Sequence, residues 1–141
     1  MIGGFVNPPD TVIRELLVRS LSIAVVGCSA DPARDSHRIA RLLIDKGHRV
    51  IPVNPHVEQV LDRRCYSSLT AVPETIEMVD IFRRSDQVAA IVDDAIVIGA
   101  RVIWMQLGVI DERAAAKARG AGLTVIMDRC PAIEYRRLFG E

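Results

Sequence analysis

Hydrophobic positions in this chain fall into short, nearly unbroken runs, separated by longer stretches in which they recur every three or four residues. The runs are Ser22 to Val26, His48 to Val53, Met78 to Phe82, Arg101 to Met105 and Thr124 to Met127. Runs of this length, rich in Val and Ile, suit strands covered on both faces. Between them, Val12, Ile13, Leu16 and Leu17 share one helical face, as do Ile39, Ala40, Leu42 and Leu43, and then Val88, Ile91, Val92, Ala95 and Ile96. An Ala-rich helix follows Asp111 through about Arg119, with Arg119 on a solvated face. Cap signals sharpen the ends: Asp10 before a first helix Thr11 to Arg19, Asp35 and Ser36 before the second, Ser85 before the third, Gly47 as a left-handed stop, and Pro131 in the first turn of a closing helix. Pro52 implies that the second strand ends or becomes irregular there. From Asn54 to Glu77 no period emerges beyond a short turn or helix started by Ser67-Ser68-Leu69.

Strands that alternate with helices imply parallel strands joined by right-handed crossovers. The expected fold is α/β, a single Rossmann-like doubly wound sheet of about five parallel strands with helices on both faces. The chain has 141 residues, which suits one domain over 1–141, with 1–20 as an N-terminal helical extension. Such a sheet binds ligands outside the carboxyl ends of its strands, where the strand order reverses. The loops to watch are therefore Gly27 to Ser36, Asn54 to His56, Phe82 to Ser85, Gln106 to Ile110 and Asp128 to Pro131.

Composition removes several classes of function. Lys plus Arg and Asp plus Glu both total 18, so no basic excess points to nucleic acid. No apolar run approaches a membrane span, and Met1 to Pro9 lacks a basic start and an apolar stretch, so a cytoplasmic location is expected. Cys28, Cys65 and Cys130 form no C-x-x-C pair and read as reduced thiols; with His37, His48 and His56 they show no metal-ligand spacing. No nucleic-acid partner, membrane or metal is expected, and a protein partner is not specified by the sequence.

The loop after the first strand, Gly27-Cys28-Ser29-Ala30-Asp31-Pro32-Ala33-Arg34-Asp35-Ser36-His37, reads as a pyrophosphate cradle. Glycine permits the sharp exit, while Ser29, Ser36 and the free amides of the next helix donate to phosphate oxygens, with Arg34 as a cationic partner. It is not the dinucleotide fingerprint: Ser29 stands where a second glycine belongs, and the second strand ends in Val53-Asn54-Pro55 without an acidic ribose partner. An NAD(P)- or other nucleotide-dependent enzyme on the same fold is the alternative reading. A set of Ser29, His37 and Asp35 lacks the nucleophile elbow of a hydrolase.

Six segments then occur in order, each at a strand end: Gly27-Cys28-Ser29, Ser36-His37-Arg38, Val50 to Pro55, Asp80-Ile81-Phe82-Arg83-Arg84, Trp104-Met105-Gln106-Leu107-Gly108 and Asp128-Arg129-Cys130-Pro131. From about Ser20 to Leu138 the chain resembles the CoA-binding domain family of small stand-alone bacterial and archaeal proteins, similar in fold to the CoA-binding domain of the succinyl-CoA synthetase α subunit. The resemblance implies non-catalytic binding of coenzyme A or acyl-CoA, as carrier, sensor or regulatory module, because the domain carrying that enzyme's phosphorylated histidine has no counterpart here. By motif position, Gly27, Ser29, Arg34, Ser36 and His37 would hold the phosphates, and Asn54 and Pro55 would border the nucleotide. Phe82, Arg83 and Arg84 would lie near adenine or the ribose phosphate, and Gln106, Leu107 and Gly108 would face the pantetheine side. Arg129 adds a strand-end cation, although Arg83, Arg84 and Arg129 have Asp80, Asp86 and Asp128 as rival partners. Cys130, at the start of the closing helix, is the thiol expected to form a mixed disulfide with that of coenzyme A under oxidising conditions, with Cys28 as its competitor.

Overall fold

The computed structural model describes residues 4–140, so residues 1–3 and 141 of the expected domain lie outside the described residues. Strands β1 (Ser22–Val26), β2 (Arg49–Val53), β5 (Met78–Ile81), β6 (Val102–Met105) and β7 (Thr124–Ile126) form one parallel sheet in the order β2-β1-β5-β6-β7. The order reverses at β1, whose two neighbours are reached by crossovers in opposite directions. The switch point thus lies between the carboxyl ends of β1 and β5.

Strand alternation divides the core into two layers. On one face Ala24, Val26, Val79, Ile81, Ile103 and Met105 pack on α3 (Val88–Val97) and α4 (Glu112–Gly120). On the other, Ile23, Val25, Val50, Val102 and Trp104 meet α1 (Asp10–Val18), α2 (Asp35–Asp45) and α5 (Pro131–Phe139) through Ile13, Leu17, Ile39, Leu43 and Tyr135. The helices on both faces and the five parallel strands are those the periodicity implied.

Several local expectations change. Asp10 is the first residue of α1 rather than its cap, and pairs with Arg137 of α5 at 2.8 Å. Arg34 and not Ser36 occupies the N-cap of α2, and no side chain caps that helix. Ser85 opens a short 3-10 turn before α3; its Oγ accepts from Ile110 N–H at 2.9 Å and staples the loop after β6 instead. Asp111 does cap α4, accepting from Ala114 N–H at 3.0 Å. Arg119 is not merely solvated: its guanidinium donates to Val6 O and covers the Phe5 ring, while the Asn7 side chain exchanges two hydrogen bonds with the Met127 backbone. These contacts lay the segment before α1 along the β7 end of the sheet.

Pro52 is tolerated because β2 is an edge of the main sheet. Its carbonyl accepts from Tyr66 N–H at 3.0 Å, so the stretch without a readable period folds back on that edge. There β3 (Gln59–Val60) and β4 (Arg63–Arg64) form a tight hairpin, with Leu61 and Asp62 both at positive φ, and Leu69–Ala71 is a 3-10 turn.

Candidate functional site

At the switch point the chain after β1 is held close to the chain after β5. Gly27 has φ +86°, and a Cβ built on it would lie 2.1 Å from the Phe82 carbonyl oxygen and 3.3 Å from Arg83 Nε. Glycine is thus needed for close backbone approach as well as for the turn that the sequence implied. Arg83 consequently lies directly over the exit of β1.

The loop from Cys28 to Arg34 is built by its own polar groups. Ser36 Oγ accepts from Ser29 N–H at 2.9 Å, Ser29 Oγ accepts from Asp31 N–H at 3.0 Å, and Asp31 accepts from Ala33 N–H at 2.9 Å. Each serine hydroxyl accepts one amide and keeps its own O–H as a donor. The N–H groups of Asp35, Ser36 and His37 fall in the first turn of α2, where no preceding helical carbonyl can take them.

These pieces border an open cleft of about 1030 Å³ across the strand ends. Of the residues singled out from sequence, Gly27, Ser29, Arg34, Ser36, Asn54 and Phe82 line it, as do Arg83, Arg84, Gln106, Leu107 and Cys130. Five others do not. Cys28 is fully buried beneath the loop, and burial, reinforced by Cys65 and Asp80 nearby, pushes its thiol up to about 12, which removes it as a nucleophile at neutral pH. His37 is buried with Nδ1 2.9 Å from the Ser29 carbonyl oxygen, so it braces the loop from behind. That contact is to backbone rather than to Ser29 Oγ, and Asp35 pairs with Arg38, so Ser29, His37 and Asp35 form no catalytic set. Pro55 and Gly108 are exposed outside the cleft lining, and Arg129 is turned to the buried Glu134 at 3.4 Å.

Among the lining residues, Asn54 spends its amide on the fold, donating to Cys28 O and accepting from His56 N–H, both at 2.9 Å. Arg84 reaches Asp86 at 3.4 Å in an exposed pair of little strength, whereas Arg34 and Arg83 have no ion-pair partner among the described residues. Four arginines against one carboxylate, Asp35, face the cleft. Arg38, Ile39, Gln87 and Val109 also line it and were not singled out as site residues. For Arg38 and Ile39 the signal was present, since they stand one helical turn after Arg34 and Asp35 on the face of α2 that opens to the loop.

The cleft sets four arginines and the open first turn of α2 beside Ile39, Phe82, Leu107 and Val109, and residues 21–136 match the model of the CoA binding domain family. The chain belongs to this family. Protein YneT of Bacillus subtilis is 40% identical over 129 residues, covering 92% of this chain and 96% of that protein. A hypothetical protein from Pyrococcus horikoshii OT3 superposes with a TM-score of 0.91 at 38% identity, covering 99% of this chain and all of that one (100%). The dinucleotide-forming acetyl-coenzyme A synthetase 1 of Ca. Korarchaeum cryptofilum superposes over 81% of this chain at 26% identity and a TM-score of 0.70, but the match spans only 27% of that larger chain.

Proposed function

We propose that this protein binds coenzyme A or an acyl-CoA in the switch-point cleft without transforming it, as a carrier, sensor or regulatory module. The observation that carries the reading is the pairing of the family's fold with two guanidinium groups, Arg34 and Arg83, that have no ion-pair partner among the described residues and stand beside the open first turn of α2. Backbone amides and a helix N-terminus favour the pyrophosphate, and the arginines supply bidentate partners for it and for the ribose phosphate. Ser29 and Ser36 donate their hydroxyls to the same oxygens. Leu107, Val109 and Gln106, toward β6, then border the pantetheine arm. Among the described residues no group of His, Cys, Asp and Glu could hold a metal ion, and no helix is long and apolar enough to cross a membrane.

A thermal-shift panel with coenzyme A, acetyl-CoA, NAD, NADP and ATP tests the reading. Coenzyme A at 100 times its Kd is expected to stabilise the native state by about 2.7 kcal/mol, a rise of several degrees in Tm, with NAD and NADP giving none. Stabilisation by NAD and not by coenzyme A would replace this reading with the nucleotide-dependent enzyme.

Cys130 lines the cleft, half-buried at the N-cap of α5, which supports its reaction with the disulfide of coenzyme A to give a protein–CoA mixed disulfide and release one coenzyme A thiol. Incubation with the disulfide of coenzyme A is expected to give one reducible adduct by intact mass, absent in Cys130→Ser. An adduct of equal yield in that variant would assign the thiol elsewhere.

A further inference from the structure

Among the described residues, buried side-chain polar atoms without a hydrogen-bond partner occur in two places: both carboxyl oxygens of Asp80 and Oε1 of Gln106. The two residues are neighbours on one face of the sheet. Asp80 stands opposite Val25 of β1 and Trp104 of β6, and therefore faces the layer of α1, α2 and α5. Gln106 is two positions beyond Trp104, which by alternation returns it to the same face. Its N–H still reaches Ile81 O at 3.4 Å, so the chain after β6 remains in register to that point. With strands about 4.8 Å apart and a rise of about 3.3 Å per residue, diagonal neighbours across a parallel pair lie roughly 8 Å apart at Cα, a gap that a glutamine and a carboxyl side chain span directly or through one water.

The two ends of the Gln106 amide have different surroundings. Oε1 is sealed from solvent, yet the residue lines the cleft, so Nε2 and its two N–H donors form the end that meets a ligand. At 7% exposure the packing around Gln106 restricts the side chain but does not tell amide oxygen from nitrogen, so the orientation of the amide depends on what its oxygen meets. The candidate is Asp80, only 1% exposed on β5 just below the cleft. Its burial pushes the carboxyl well above the ordinary carboxylate range, which favours the neutral acid, the form with an O–H to donate.

We propose that Asp80 is a positioning residue for ligand recognition: its carboxyl group hydrogen-bonds Gln106 Oε1, directly or through one water, and so aims Gln106 Nε2 at a carbonyl oxygen on the pantetheine or acyl arm of the ligand. This rests on the coenzyme A reading above and deepens it. Arm recognition thereby becomes separable from phosphate recognition, which belongs to Arg34, Arg83 and α2. It also gives the cleft a means of preferring ligands whose arm carries an amide or thioester carbonyl.

The experiment compares coenzyme A with adenosine 3′,5′-bisphosphate, which has no arm, by titration calorimetry on the parent protein, Asp80→Val, Asp80→Asn, Gln106→Leu and the double variant Asp80→Val/Gln106→Leu. Asp80→Val and Gln106→Leu are each expected to weaken coenzyme A about tenfold and to leave the bisphosphate within about twofold, the double variant being no worse than either. Asp80→Asn, which keeps a donor of the same shape, is expected to retain the parent's preference. An unchanged ratio of the two affinities in Asp80→Val, or fully additive losses in the double variant, overturns the proposal. A ligand-free arm uses NMR: the Gln106 side-chain amide signals should shift in Asp80→Val and be restored in Asp80→Asn. Signals indifferent to both variants overturn the hydrogen bond itself. A parent protein that binds neither ligand, with those signals shifted and restored as expected, removes the coenzyme A reading and the ligand role of Gln106 while the Asp80 contact stands.

Discussion

Gly27→Ala is expected to unfold the site and much of the protein's stability with it. The substitution meets two separate obstacles: φ +86° disfavours any Cβ, and the added atom would lie 2.1 Å from the Phe82 carbonyl oxygen, a backbone atom that cannot rotate away. A residue forced into the left-handed region costs about 1–3 kcal/mol, and overpacking of this kind adds about as much, so a loss of about 2–6 kcal/mol follows. For a chain of this size that is a fall in Tm of roughly 6 °C or more. Because the movement needed separates the β1 loop from the β5 loop, Arg83 is displaced and ligand affinity falls even at temperatures where the variant remains folded. Gly108→Ala is the matched control: its φ is +79°, but nothing lies within 4 Å of the added Cβ. There only the backbone term remains, about 1–3 kcal/mol, without the overpacking. Thermal denaturation by circular dichroism reads both, and equal small losses would show that the β1 and β5 loops are not locked together.

Arg83→Glu is expected to cause the largest loss of coenzyme A affinity among single changes that leave the fold intact. The side chain is half-exposed, has no carboxylate partner among the described residues, and stands over the exit of β1 beside the open amides of α2. Losing a charge-assisted hydrogen bond removes about 1.5–3 kcal/mol, and repulsion between the new carboxylate and a phosphate adds to it, for a weakening of at least about 100-fold. Two controls sharpen the test. Arg129→Ala should leave affinity within about twofold, since Arg129 is turned to Glu134, which keeps Arg137 at 2.7 Å as a second partner. Arg113→Glu, on the exposed face of α4 away from the cleft lining, should likewise change little. Titration calorimetry at fixed ionic strength decides it; comparable losses in Arg83→Glu and Arg129→Ala would move the phosphates to the β7 side of the sheet.

The sequence by itself determined the five parallel strands and the helices between them, because each buried strand is a short apolar run and each helix repeats its apolar face with the helical period. It also determined the loops that bear the cleft, since in a parallel sheet every strand ends at the same side, and the segments quoted at those ends supplied the family. The hairpin at Gln59 to Arg64 stayed illegible: its turn places Leu61 and Asp62 at positive φ, where Asn-Gly would have announced it. Helix starts were misassigned for a related reason. Asp10, Ser36 and Ser85 are cap-type residues whose oxygens went to partners far along the chain or across a loop, and such competition is invisible in a local window. Tertiary structure alone decided which of the strand-end residues share the cleft. Arg129 and Arg83 look alike in sequence, but the buried Glu134 claims the first, and among the described residues no carboxylate claims the second. It alone gave Asp80 its place: a carboxylic acid within an apolar run reads as an exception to a strand, and only the register of β5 against β1 and β6 shows it buried without a charge partner, one pleat below Gln106. Periodicity records which face a residue takes, whereas the reach of a side chain to a partner depends on how distant elements pack, and that is fixed only when the chain closes on itself.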